Sequence, residues 1–223
     1  MDAYEILSKH GVTRLCHFTK IQSLTHILSS PDGIMATPRI NKDNLNQVDY
    51  ARADRKLDYV CCSIEYPNSW YLDHAKERDE DKIFKDWAIM YINPEIVKIR
   101  DVLVCECNAA KENGKYICQG NAQNTENLFE KKVSSFHYPR TDKMLSCCPT
   151  NAQTEILIKD NIPKDYIKGI AVGNEEVARM MYAMRKTLNV ETIKLFISPQ
   201  VVTTEWRTLA QNGVRPEENE YMG

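Results

Sequence analysis

Short apolar runs, each closed by a turn or a charged residue, constrain this chain more than any other feature. They are residues 14–18, 59–64, WAIMYINP (87–94), VLVCEC (102–107), EILIKD (155–160), GIAV (169–172) and TIKLFIS (192–198). Runs of that length and composition form strands. Helical periodicity appears between some of them but not between all. In IQSLTHILSS the residues Ile21, Leu24, Ile27 and Leu28 fall on one face, and Pro31-Asp32-Gly33 stops the helix. NEEVARMMYAMRKTL predicts a helix with Asn174 as its N-cap, acids in the first turn, and Arg185 and Lys186 in the last. The charged stretch 71–85 reads as a solvated helix. The pattern is not a regular alternation of strand and helix, so the fold class is mixed α+β, a β-sheet core with flanking helices. Residues 38–56 and 109–146 read as irregular, and a nineteen-residue polar loop inside a compact domain usually carries function or is disordered.

The chain has 223 residues, enough for one domain with a real core, here taken as 1–223 with the tail 208–223 fraying. No apolar stretch is long enough to span a membrane, and MDAYEILSKH lacks the apolar core of a secretory signal. A cytoplasmic protein with reduced thiols is the expectation, and its eight cysteines are expected to be structural. Zinc chemistry is not supported: there is no CxxC and no paired histidine at finger spacing, so no metal is expected. With 29 basic against 31 acidic residues the net charge is −2. That excludes a broad basic face for coating nucleic acid, but not a grip on a few nucleotides.

The dinucleotide and P-loop fingerprints GxGxxG and GxxxxGK[ST] are missing, as are GxSxG, HExxH and the EF-hand loop. Cys16 and His17 are adjacent on a strand and point to opposite faces, so they do not form a nucleophile–base dyad. What remains is a set of polar groups tied to strands. His17-Phe18-Thr19 lies at the end of the first strand. Asp49 to Arg55 is charged and inside the long loop. Cys148-Pro-Thr-Asn-Ala-Gln153-Thr-Glu155 runs from a polar turn into the apolar strand Ile156-Leu157-Ile158. A carboxylate at the lip of a buried strand sits where orientation and ionisation are controlled.

A histidine on the first strand with a Gln-x-Glu opening a late strand resembles the ADP-ribosyltransferase pattern. The segments CHFTKIQSLTHIL, GI, DYARAD, DYVCCSIEYPN, FKDWAIMYINP and CPTNAQTEILIKDNIPKDYIKGIAV more closely resemble the DarT family, from about residue 12 to 175. The HFT opening and the QxE block are the most specific parts. DYVCCSIEYPN departs from the DYVPFYF form common in the thymidine-modifying branch, which leaves the target base open.

The resemblance implies an ADP-ribosyltransferase-like fold and a toxin that uses NAD as ADP-ribose donor to modify a base in single-stranded DNA, releasing nicotinamide. Its partner would be an antitoxin, a macrodomain that removes the mark. Glu155 would be the catalytic carboxylate. His17, Thr19, Asp49, Arg52 and Ser63 would contact the donor, with His17 and Thr19 on the ribose and nicotinamide amide and Arg52 on the pyrophosphate. Gln153, Arg55, Tyr138 and Arg140 would contact the acceptor. Basic and aromatic residues interleave in EKKVSSFHYPRTDK, just before the QxE turn, as a short single-strand footprint needs. The same chemistry on single-stranded RNA, on a protein acceptor, or a degenerate binding module are the alternatives.

Overall fold

The computed structural model describes residues 1–40, 53–79 and 85–223. In chain order its helices are α1 (Ala3–Lys9), α2 (Ile21–Ser29), α3 (Ser69–Arg78), α4 (Ala122–Asn127), α5 (Glu175–Thr187) and α6 (Glu205–Gln211). The strands are β1 (Leu15–Lys20), β2 (Ile34–Met35), β3 (Tyr59–Ile64), β4 (Trp87–Ile92), β5 (Val102–Cys105), β6 (Ile117–Gln119), β7 (Glu155–Lys159), β8 (Asn161–Ile162), β9 (Ile167–Val172), β10 (Lys194–Ile197) and β11 (Asn219–Glu220). Nine strands form one sheet in the order β11-β10-β9-β4-β1-β3-β7-β5-β6, and β2 pairs with β8. Only β9 and β10 run parallel; the other pairs are antiparallel. This is the mixed α+β class the apolar runs predict.

Burial explains why the runs are so uniformly apolar. All six residues of β4 are buried, because layers cover the sheet on both sides there. The main core joins Leu24 and Leu28 of α2, Met90 of β4, Ile156 and Ile158 of β7, and Val177 and Met181 of α5. A smaller cluster of Leu103, Cys105, Cys107, Ala109 and Leu157 covers the other face of the β5–β7 pair. The α5 helix starts as predicted, with the Asn174 side chain accepting from the Val177 N–H. At the end of α2, Gly33 has φ +65°, and an added Cβ would lie 2.2 Å from the Ile162 carbonyl oxygen, so only glycine fits that turn.

Three sequence expectations change. The charged stretch 71–85 is not a solvated helix: α3 buries Leu72 and Ala75 and ends at Arg78, with residues 80–84 outside the described set. Charge on its outer face hides a narrow apolar stripe. The stretch 109–146 contains β6 and α4 rather than only irregular chain. The tail expected to fray is docked. Within it Ala210 of α6 is buried, Arg14 holds Glu218 through both terminal guanidinium nitrogens, and β11 extends the sheet beside β10; just ahead of it Trp206 is buried and donates to Ser69 Oγ at 3.0 Å. All eight cysteines are free thiols; six are buried, Cys61 is half-buried and Cys118 is exposed.

Because Leu72 is fully buried at the inner face of α3, Leu72→Ala is expected to lower the unfolding free energy by about 2–5 kcal/mol. Urea denaturation checks this; a wild-type midpoint would return α3 to a solvated helix.

Candidate functional site

The site begins where the sheet comes apart. β1 pairs with β4 over all six residues, from Leu15↔Ile92 to Lys20↔Trp87. Its pairing with β3 stops after Leu15↔Ile64 and Cys16↔Ser63. β3 meanwhile stays paired with β7 from Tyr59↔Lys159 to Ser63↔Glu155. From His17 onward the two middle strands therefore diverge, and a cavity of about 370 Å³ opens between them, lined by His17, Phe18, Thr19, Tyr59, Cys61, Ser63, Asn108, Ala109 and Glu155 among others. An apolar lining with a few polar groups converging on it is the usual character of a ligand cavity.

His17 spans the opening. Its Nδ1 lies 2.9 Å from the Cys61 carbonyl oxygen, which can only accept. Nδ1 therefore carries a proton. Thr19, two residues on, is buried at the same cavity. Ser63 is buried as well, and its Oγ accepts from the Asn68 N–H at 2.9 Å.

Glu155 is the first residue of β7, paired with Ser63 on one side and Cys105 on the other. Only 5% of it is exposed. The chain leaving β5 supplies its anchors: Ala109 N–H donates to Oε2 at 2.8 Å and Asn108 Nδ2 donates to Oε1 at 3.1 Å. These two donors fix the direction of the carboxylate. The sequence reading missed both anchors. Their only signal is an Asn placed just past an apolar strand, and its use depends on the β5–β7 register. Arg39, also missed, lies on the cavity rim and pairs with Asp160 at 3.0 Å.

Gln153 is not on an extended segment beside Glu155. It sits in a turn, its N–H donating to Asn151 Oδ1 at 3.0 Å. There it lines a second cavity, about 270 Å³, with Asn68, Trp70, Lys111, Phe136, His137 and Arg207 among its walls. The two cavities share no lining residue among the described residues and flank the junction of the 108–111 and 151–155 segments. Tyr138 is 71% exposed and meets Phe136 edge-on at 5.6 Å. Arg55 is exposed, with φ +56°. Asp49 and Arg52 lie outside the described residues.

Arg140 is bound to its own loop. Its Nη2 donates to the Leu145 carbonyl at 2.5 Å and its Nη1 to the Cys148 carbonyl, and burial pushes its guanidinium pKa below the ordinary value. This placement holds the 140–148 loop instead of presenting a cation to an acceptor. Arg140→Ala, which leaves those carbonyls unpaired, is expected to cost about 1–3 kcal/mol of stability. Thermal unfolding measures it, and an unchanged midpoint would speak against the clamp.

Among the described residues no three His, Cys, Asp or Glu side chains gather as metal ligands, and no helix is long and apolar enough to cross a membrane. None of the curated proteins compared matches the sequence. Solved structures do resemble the fold. Thermus sp. 2.9 DarT in complex with ADP-ribosylated ssDNA aligns with a TM-score of 0.62 at 15% identity, over 85% of this chain and 96% of that one. The same protein in complex with NAD+ gives 0.58 at 14% identity, over 84% and 96%. Thermosipho africanus DarTG in complex with ADP-ribose gives 0.59 at 19% identity over 85% of this chain, which spans only 51% of that longer one. The family model described as "ssDNA thymidine ADP-ribosyltransferase, DarT" matches residues 16–205, from the strand that carries His17, through Glu155, to the start of α6. On that match, the chain belongs to the DarT family.

Proposed function

We propose that this protein transfers ADP-ribose from NAD to a base of single-stranded DNA and releases nicotinamide. The observation that carries the reading is the anchored Glu155 carboxylate at the edge of the opened β1/β3 ladder, in the same cavity as His17 and Thr19. Cleaving the bond from nicotinamide to ribose develops positive charge at the anomeric carbon, as in glycoside cleavage. A carboxylate already oriented in a water-poor site stabilises that charge without having to reorganise. The same carboxylate is a base for the proton on the attacking base nitrogen, where it comes within hydrogen-bond reach. His17 and the Thr19 hydroxyl, in the same cavity as Glu155, serve the ribose and the nicotinamide amide. Arg52 is our candidate for the pyrophosphate, with Arg55 second. Arg39, on the cavity rim, adds a further cation.

The acceptor is assigned to the second cavity. Gln153, Trp70, Phe136 and His137 offer a hydrogen-bonding amide and stacking faces, and Tyr138 extends the aromatic surface outward. DNA is favoured over RNA or protein by the family description and by the ADP-ribosylated ssDNA held by Thermus sp. 2.9 DarT. Thymine is the base the description names; the departure at DYVCCSIEYPN makes it the point to measure. A macrodomain antitoxin that removes the mark remains part of this proposal.

The test is mass analysis of single-stranded DNA, RNA and protein incubated with the enzyme and NAD. Mass added to a DNA base is expected. Glu155→Gln should keep NAD binding, since Ala109 N–H still finds an acceptor, yet lose transfer by about 10²–10³-fold or more. Arg52→Ala should weaken NAD binding by about tenfold. Wild-type labelling by Glu155→Gln would remove Glu155 from the chemistry.

A further inference from the structure

We infer that Asn68 is the residue that recognises a base carbonyl of the acceptor strand in the second cavity, an assignment that rests on the acceptor reading above. Asn68 lines that cavity and is 1% exposed. Its orientation is set by two bonds: Oδ1 accepts from the Tyr71 N–H at 3.1 Å, capping α3, and the Asn68 N–H donates to Ser63 Oγ at 2.9 Å. Because Oδ1 must face a backbone donor, the amide cannot be flipped, and Nδ2 is the group left over. Among the described residues Nδ2 is buried with no hydrogen-bond partner. A buried donor without an acceptor costs free energy that a ligand carbonyl recovers.

The surroundings specify what kind of ligand. Trp70, the next residue but one, is 48% exposed, and Phe136 and His137 stand in the wall contributed by the 135–137 loop. Flat aromatic faces suit a nucleobase. Arg207, exposed at the start of α6, suits the adjoining phosphate. An amide donor reads a carbonyl oxygen, which thymine, cytosine and guanine offer and adenine does not. Asn68 also links the two cavities, since Ser63, whose Oγ it holds, lines the donor cavity.

Asn68→Asp is the discriminating variant: it keeps the capping oxygen and exchanges the donor for an acceptor. Initial rates are measured against single-stranded oligonucleotides carrying thymine, 2-thiothymine or 4-thiothymine, whose sulfur is a poor acceptor. Asn68→Asp should raise the oligonucleotide KM by about tenfold or more, with NAD affinity within about twofold of wild type. One of the two thio-analogues should impose a similar loss on the wild type and no further loss on the variant. Should Asn68→Asp fail to fold, Asn68→Ser retains a capping oxygen and takes its place. A wild-type oligonucleotide KM in the variant, or a thio penalty equal in both proteins, overturns the assignment while leaving the acceptor reading intact. A wild-type protein that binds NAD but modifies no DNA overturns both.

Discussion

The opening of the β1/β3 ladder is the constraint on which the rest of the structure depends. Two strands in the middle of a nine-stranded sheet share only the Leu15↔Ile64 and Cys16↔Ser63 pairs before they diverge. Backbone groups that lose a ladder partner inside a protein must be satisfied elsewhere. The His17 imidazole supplies one such partner by bridging to the Cys61 carbonyl. One side chain thus heals the break at the wall of the cavity that Thr19 also lines. Each wall keeps its own ladder: β1 is paired with β4 along its whole length, and β3 with β7 from Tyr59 to Ser63. The cleft is therefore a gap between two hydrogen-bonded walls, a suitable place for a reaction that depends on fixed orientation.

Glu155 shows how such a wall positions charge. A carboxylate this deeply buried needs fixed donors, and the Asn108 side chain and Ala109 N–H provide them from the turn that leaves β5. Its position across from β3 follows from the β7 register, with Ser63 directly opposite. The second cavity lies just past this carboxylate, walled by the QxE turn, the start of α3, the 135–137 loop and the start of α6. The 108–111 and 151–155 segments meet between the two cavities.

Much of this was legible before any coordinates. The strands were readable because β4, β7 and β9 are buried and must be apolar, and the α5 cap because Asn174 precedes two acids. His17 and Glu155 stood out as polar groups on those same strands. What was not legible depends on distant partners. Nothing local tells that β1 pairs with β3 for two residues and no more, or that Asn108 faces Glu155. The inner stripe of α3 is masked by its charged outer face. The docking of the tail depends on Arg14, Glu65 and Ser69, all more than a hundred residues away. Arg140 reads as a surface cation until the carbonyls of its own loop are seen to hold it. Gln153 follows the QxE spacing correctly, but the turn directs it to the neighbouring cavity.

The most direct measurement is amide chemical-shift mapping during an NAD titration of the Glu155→Gln protein, which is expected to bind without turning over. The account predicts that the perturbed amides cluster at 16–19, 33–40, 59–63 and 108–110, segments that line the cavity at the opened ladder. Perturbations confined to 68–70, 135–137 and 204–207, with 17–19 unchanged, would place the donor in the other cavity and contradict it.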